Sequence, residues 1–96
     1  MVLPPLVPLG MEYFYVYVLK SLKRNFMYVG YTTNYKNRIK RHNSKQVKST
    51  KPFSPLKLIF LEVYTNIKDA KRRERYLKTT KGKTTLKTML KSTLDN

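Results

Sequence analysis

Three apolar runs and two amphipathic stretches set the plan of this chain. Tyr13 to Lys20 reads YFYVYVLK, where aromatic and β-branched side chains predict a strand with both faces apolar. Ser21 to Asn25 is a short polar break, and Phe26 to Tyr31, FMYVGY, predicts a second strand. A break of that length suits an antiparallel hairpin. Gly30, near the strand end, marks a bulge or a close backbone approach. Thr32, Thr33 and Asn34 offer caps for a helix from Tyr35 to Asn43, in which Tyr35, Ile39 and His42 share a face. Ser44 to Pro55 has no apolar period and reads as a basic surface loop. Leu56 to Tyr64, LKLIFLEVY, is a third strand, with Leu58, Phe60, Glu62 and Tyr64 alternating with Ile59, Leu61 and Val63.

Ile67, Ala70, Glu74 and Leu77 follow one another at three, four and three residues, so they lie on one face of a second helix. Thr65 or Asn66 caps it, and Asp69 sits near its positive N-terminal end. Lys81-Gly82 is expected to break that helix, and Leu86, Met89 and Leu90 to give a short third one. The order β-β-α-β-α-α predicts an α+β domain, a small three-stranded antiparallel sheet flanked by helices.

The chain has 96 residues, which bounds it to one small domain. The patterned part runs from 11 to 92, and 93–96 is expected to be a frayed tail. Residues 1–10, MVLPPLVPLG, have no basic n-region and no small-residue cleavage site, which argues against a signal peptide. Prolines at 4, 5 and 8 forbid a regular helix there. The segment is expected to be a disordered extension or to precede the true start codon; a flexible docking arm is the alternative.

Lys and Arg number 21 against 5 for Asp and Glu, a net charge of +16 that exceeds what solubility requires. Such a surface attracts polyanions, nucleic acid first. No apolar run approaches the ~20 residues that span a bilayer, so no membrane partner is expected. The absence of cysteine excludes disulfides, thiolate metal sites and cysteine nucleophiles, and fits a cytoplasmic location.

Against that charge, one acid stands out. Glu74 interrupts the apolar stripe of its helix, whereas Glu12 lies at the start, Asp95 in the tail, Asp69 at a helix N-terminus, and Glu62 is free to face solvent. A carboxylate on the sheet-facing side needs a partner. It can hold one Mg²⁺ or Mn²⁺ completed by water and phosphate oxygens, or it can be a core-edge acid paired to an arginine. Arg38 and His42 are one turn apart. The guanidinium fork suits a phosphate, and the imidazole suits proton transfer near neutrality. The plainer alternatives are a solvated arginine and a surface or half-buried histidine. Tyr15 and Tyr17 share a face of the first strand, with Tyr28 in cross-strand reach. Aromatics so spaced are ordinarily core, although a phenol beside a cation can become acidic enough to take a proton from water.

Together these residues resemble the GIY-YIG nuclease superfamily in its small stand-alone bacterial form, and are similar to the N-terminal catalytic domain of an excinuclease. Tyr15-Val16-Tyr17 matches the first motif with tyrosine in place of its glycine, and Tyr28-Val29-Gly30 followed by Tyr31-Thr32 matches the second. Arg38, then His42-Asn43, stand where the family has an arginine and a histidine–asparagine pair. The segment from Ala70 to Lys78 looks like the one that carries the metal-binding glutamate. Thr85, Leu86 and Lys87 stand where some relatives have a further asparagine.

The resemblance implies a divalent-metal-dependent endonuclease that hydrolyses DNA phosphodiesters. Glu74 holds one Mg²⁺ (or Mn²⁺), Tyr17 is the general base or orients the attacking water, and Tyr28 bonds that water or the phosphate. Arg38 stabilises charge on the phosphate, His42 assists proton transfer or holds Tyr17, and Gly30 lets the backbone pass close to the tyrosines. Tyr15, Gly30, Lys45, Lys48, Lys51, Lys71, Arg72 and Arg75 are the candidate nucleic-acid contacts. DNA that is branched, nicked or single-stranded is the implied partner, with a second protein supplying targeting, and repair is among the roles that fit. A basic binding module of the same fold with weak or no catalysis is the alternative, and a ribosome-associated structural protein is a third reading.

Overall fold

A computed structural model describes residues 12–95; the expectation for residues 1–10, and the last residue of the expected tail, lie outside the described residues. Strand β1 (Phe14–Ser21) occupies the centre of a three-stranded antiparallel sheet, between β2 (Met27–Thr32) and β3 (Leu56–Tyr64). Between β2 and β3 the chain forms helix α1 (Tyr35–Asn43) and a single 3-10 turn at Lys51–Phe53. Helices α2 (Ile67–Leu77), α3 (Thr80–Met89) and the four-residue α4 (Lys91–Leu94) complete it. The α+β class and the element order agree with the pattern of the sequence.

Alternation along β1 divides the core into two layers. Val16 and Val18 point to one face, where they pack with Val29, Ala70, Leu77 and Leu86 under α2 and α3. Tyr17 and Leu19 point to the other, where they meet Leu56 and the half-buried Tyr28, Ile39 and Phe53. The central position of β1 explains why its sequence is apolar on both faces.

The strict alternation expected for β3 does not hold. Val18 pairs with Phe60 but Leu19 pairs with Leu58, so Ile59 is an extra residue in a β-bulge. Leu58 therefore joins Leu61 on the Tyr17 layer, while Ile59 and Phe60 both pack on the α2 layer.

Capping and packing decide the remaining expectations. Asn34 caps α1 by accepting the Asn37 backbone N–H, and Asn66 caps α2 by accepting that of Lys68. Helix α2 ends at Leu77, not at Lys81-Gly82. Thr79 then caps α3 by accepting the Gly82 N–H at 3.0 Å, which puts Lys81-Gly82 inside its first turn. Gly82 is buried against the end of α2: a Cβ there would overlap the Tyr76 carbonyl oxygen and come within 2.6 Å of the Leu77 Cα. The glycine allows two helices to touch rather than stopping one. Ile67, expected on the buried face of α2, is 44% exposed at the helix start.

The segment from 44 to 55 is not only a surface loop. Thr50 and Ser54 are buried, and the Phe53 ring stacks on Phe26 at 3.7 Å between centroids. Ser21 donates a hydrogen bond of 2.6 Å to the Phe53 carbonyl. Asn43 ties α1 to the start of β3, its amide nitrogen donating to the Leu56 carbonyl at 2.9 Å and its amide oxygen accepting the Leu56 N–H at 2.7 Å. These bonds fix the loop over the Tyr17 layer, where the site residues gather.

Candidate active site

The antiparallel register of β1 and β2 sets Tyr17 opposite Gly30 and Leu19 opposite Tyr28. The Tyr17 ring crosses Gly30 so closely that any side chain at position 30 would overlap its Cζ and hydroxyl oxygen. This directs the phenol toward the last turn of α1. There the Tyr17 hydroxyl lies 2.8 Å from His42 Nε2, and His42 Nδ1 lies 2.7 Å from Thr50 Oγ1. All three side chains are fully buried. The half-buried Tyr28 ring stands 5.0 Å from the imidazole and 6.3 Å from the Tyr17 ring.

Arg38, one turn before His42, completes this side. Its guanidinium is held above its ordinary pKa, first by hydrogen bonding to Tyr17, with Tyr28 contributing as well. Burial pushes Tyr17 up to about 12, against the pull of Arg38. Burial drives His42 down to about 4, and the charges of Arg38 and Arg41 act in the same direction. At neutral pH both groups are therefore uncharged, and Arg38 carries the positive charge of the cluster. His42 is neither a surface nor a half-buried residue, as its plainer reading had it. The expectation that Tyr17 is core also holds, since it is at once a core residue and a hydrogen-bonded one.

Glu74 approaches from the other layer. It lies on the sheet-facing side of α2, its side chain 16% exposed, with Lys78 Nζ at 3.0 Å and Lys71 Nζ at 3.9 Å from its two oxygens. Among the described residues its ion pairs are with these lysines; the arginine–carboxylate pair expected there as an alternative belongs to Glu62. Arg73 holds Glu62 by two bonds, at 2.9 Å and 3.1 Å, and Tyr64 donates to the same carboxylate at 2.7 Å. Burial, then the bond to Glu62, pushes Tyr64 up to about 12. Glu62 therefore faces α2, not solvent. The charge of Glu74 is felt at Tyr17 and at Tyr31, both of which it raises, behind the effect of burial. Lys71 also lies 4.0 Å above the Tyr31 ring, within cation–π range. Tyr17, Tyr28, Arg38 and His42 thus meet on the α1 layer, and Glu74 stands on the α2 layer, from which its charge reaches Tyr17 and Tyr31.

The donor chemistry around Glu74 suits a hard divalent cation. It is a single half-buried carboxylate, and the described residues hold no group of three or more His, Cys, Asp or Glu. Mg²⁺ or Mn²⁺ commonly takes one or two carboxylates and fills its shell with water and phosphate oxygens. Lys71 and Lys78 sit on long, half-exposed stems and can yield the carboxylate to such an ion.

The candidate nucleic-acid contacts divide. Lys45, Lys48 and Lys51 are exposed on the loop beside the Tyr17 layer, Lys45 with a φ of 61° just past α1. Lys71, Arg72 and Arg75 line, with Ile67 and Lys68, a hollow of about 340 Å³ along α2. Arg72 is also paired with Asp69 at 2.8 Å. Tyr15 packs on Tyr35 at 5.0 Å between centroids and is half-buried. Gly30 is buried beneath Tyr17 and presents no surface to a ligand. Thr50 is a site neighbour that the sequence does not signal, because a lone threonine in a polar loop is unremarked until the loop folds back on α1. No described helix is long and apolar enough to cross a membrane.

Comparison with known proteins places the chain in one family. The family model described as the GIY-YIG catalytic domain matches residues 13–87. A UPF0213 protein of Staphylococcus haemolyticus is 44% identical over 66 residues, 68% of this chain and 79% of the relative. One from Clostridium perfringens is 42% identical over 65 residues, 67% of this chain and 69% of its own. One from Pediococcus pentosaceus is 47% identical over 58 residues, 59% of this chain and 60% of its own. No solved structure matches the chain.

Proposed function

The chain belongs to the GIY-YIG catalytic domain family, and from that premise we propose that it is a cytoplasmic endonuclease hydrolysing DNA phosphodiester bonds, with residues 11–92 as its catalytic domain. The observation that carries this reading is the meeting of Tyr17, Tyr28, Arg38 and His42 in one cluster, with Glu74 near enough for its charge to act on the Tyr17 phenol. Strands β1 and β2 and helices α1 and α2 each supply part of the set, a convergence that composition alone does not explain.

In this reading Arg38 binds a non-bridging oxygen of the scissile phosphate and stabilises the charge that grows on it. Tyr28, half-buried beside it, donates to the same phosphate or to the attacking water. Tyr17 prepares that water, with His42 as the acceptor for its proton. Glu74 would hold the metal, Mg²⁺ or Mn²⁺, which when bound supplies Lewis-acid stabilisation at the phosphate and the leaving oxygen. Lys45, Lys48 and Lys51 on one side and Lys71, Arg72 and Arg75 on the other grip flanking phosphates, so affinity falls steeply with salt. Tyr15, with Tyr35, offers an aromatic edge to the strand. Branched, nicked or single-stranded DNA is the substrate class, and a protein partner supplies targeting.

A second reading, a DNA-binding module with weak catalysis, is favoured by one observation: Tyr17 has no exposed surface and its hydroxyl is engaged by His42. Supercoiled plasmid and a panel of branched DNAs, incubated with Mg²⁺, Mn²⁺ or EDTA, separate the two. The expected result is metal-dependent cutting that Glu74→Gln abolishes while DNA binding persists or tightens. Cutting by Glu74→Gln at the wild-type rate removes the metal assignment, and binding without cutting leaves the second reading.

A further inference from the structure

The cleavage reading uses Tyr17 and His42 and gives Thr50 no part. Yet Thr50 is wholly buried between exposed neighbours, Ser49 and Lys51. Its hydroxyl lies 2.7 Å from His42 Nδ1, on the side of the imidazole away from Tyr17. No buried side-chain polar atom among the described residues lacks a partner, so this chain of bonds is complete.

Hydrogen-bond chemistry gives the chain a direction. Arginine has donors only, and the Arg38 guanidinium acts on the Tyr17 oxygen, so the phenol's own hydrogen is left for His42 Nε2. At the other end, the Thr50 hydroxyl donates to the Val47 carbonyl at 3.4 Å, so its oxygen meets His42 as an acceptor. A neutral imidazole has one N–H, and these two constraints put it on Nδ1. The charged and titratable groups acting on this imidazole are Tyr17, Tyr28, Arg38 and Arg41. No carboxylate hydrogen-bonds it among the described residues, so the threonine does the orienting that a carboxylate performs in many catalytic histidines.

We propose that Thr50 is a positioning residue, whose hydroxyl holds His42 as the Nδ1–H tautomer with the Nε2 lone pair aimed at the Tyr17 phenol. Transfer of the phenolic proton then breaks the Tyr17 O–H bond and forms an N–H bond at Nε2. The products are a phenolate beside Arg38 and an imidazolium whose Nδ1–H stays on Thr50. The effect of this on turnover rests on the endonuclease reading; the tautomer itself does not.

The test uses the full chain labelled with ¹⁵N, in which long-range ¹H–¹⁵N correlations at neutral pH report which His42 nitrogen carries the proton. Wild type and Thr50→Ser are expected to show Nδ1–H. Thr50→Val is expected to shift toward Nε2–H and to lose roughly ten- to hundred-fold in kcat, with DNA affinity unchanged. Nε2–H in the wild type, or a Thr50→Val protein with the wild-type tautomer and turnover, overturns the proposal. Where Thr50→Val fails to fold, the wild-type and Thr50→Ser spectra decide it. A wild-type protein that cuts no DNA defeats the endonuclease reading, while the spectra still judge Thr50.

Discussion

The Tyr17 ring lies across the one position of β2 that has no side chain, Gly30. Cε1 of the ring would stand only 2.8 Å from a Cβ at that position, and Cζ and the hydroxyl oxygen closer still. The two residues are register partners, so the contact is built into strand pairing rather than into a loop. It explains in physical terms why the second tyrosine motif ends in glycine: the need is for space above the backbone.

Gly30→Ala should therefore push the Tyr17 ring aside and break its bond to His42. Overpacking of this kind costs about 1–3 kcal/mol, or roughly 4–8 °C in Tm per kcal/mol for a domain of this size. Thermal unfolding followed by circular dichroism measures it, and an unchanged Tm would mean that the ring has room to move.

Arg38 is the half-buried, cationic edge of a cluster in which Tyr17 and His42 are neutral. Arg38→Ala should lower kcat by several orders of magnitude more than it lowers DNA affinity, because the lost charge matters most when the phosphate gains charge. Single-turnover cleavage and equilibrium binding are to be compared on the same DNA. Equal losses in both would make Arg38 an anchor for DNA, with no special part in the transition state.

His42 predicts a pH dependence of stability. Its pKa is near 6.5 when unfolded and about 4 in the fold, lowered by burial and by Arg38 and Arg41. Between these values the unfolded chain binds the extra proton and the folded one does not. Stability is thus fully present above 6.5 and is lost as pH falls toward 4, by ~3 kcal/mol over the whole interval. Denaturant unfolding at a series of pH values should show this slope in the wild type and a flatter one in His42→Gln. Parallel curves for the two proteins would mean that the imidazole is not the group responsible.

Much of this arrangement is legible in the sequence. Helix α1 and strand β3 begin and end where their patterns do, and Asn34 caps as a short polar side chain before an amphipathic run should. Glu74 could be singled out because an acid breaks an apolar period. What the sequence hides depends on tertiary contact. The bulge at Ile59 leaves no trace, since every residue from 58 to 61 is apolar and either register reads alike. Gly82 looks like a helix breaker by local propensity, but the approach of α3 to the end of α2 is what selects it. Glu62 looks like a solvent-facing strand residue until α2 brings Arg73 over it. Thr50 acquires meaning only when the loop closes over His42.

The Asn43 amide, which holds both the N–H and the C=O of Leu56, has a consequence beyond its two bonds. It couples the helix that carries Arg38 and His42 directly to the strand that follows, across the loop between them. The exposed side chains of Lys45 and Lys48 can then turn toward a bound polyanion while the loop backbone, bonded from the Lys45 N–H to the His42 carbonyl, keeps the phenol–imidazole contact in place.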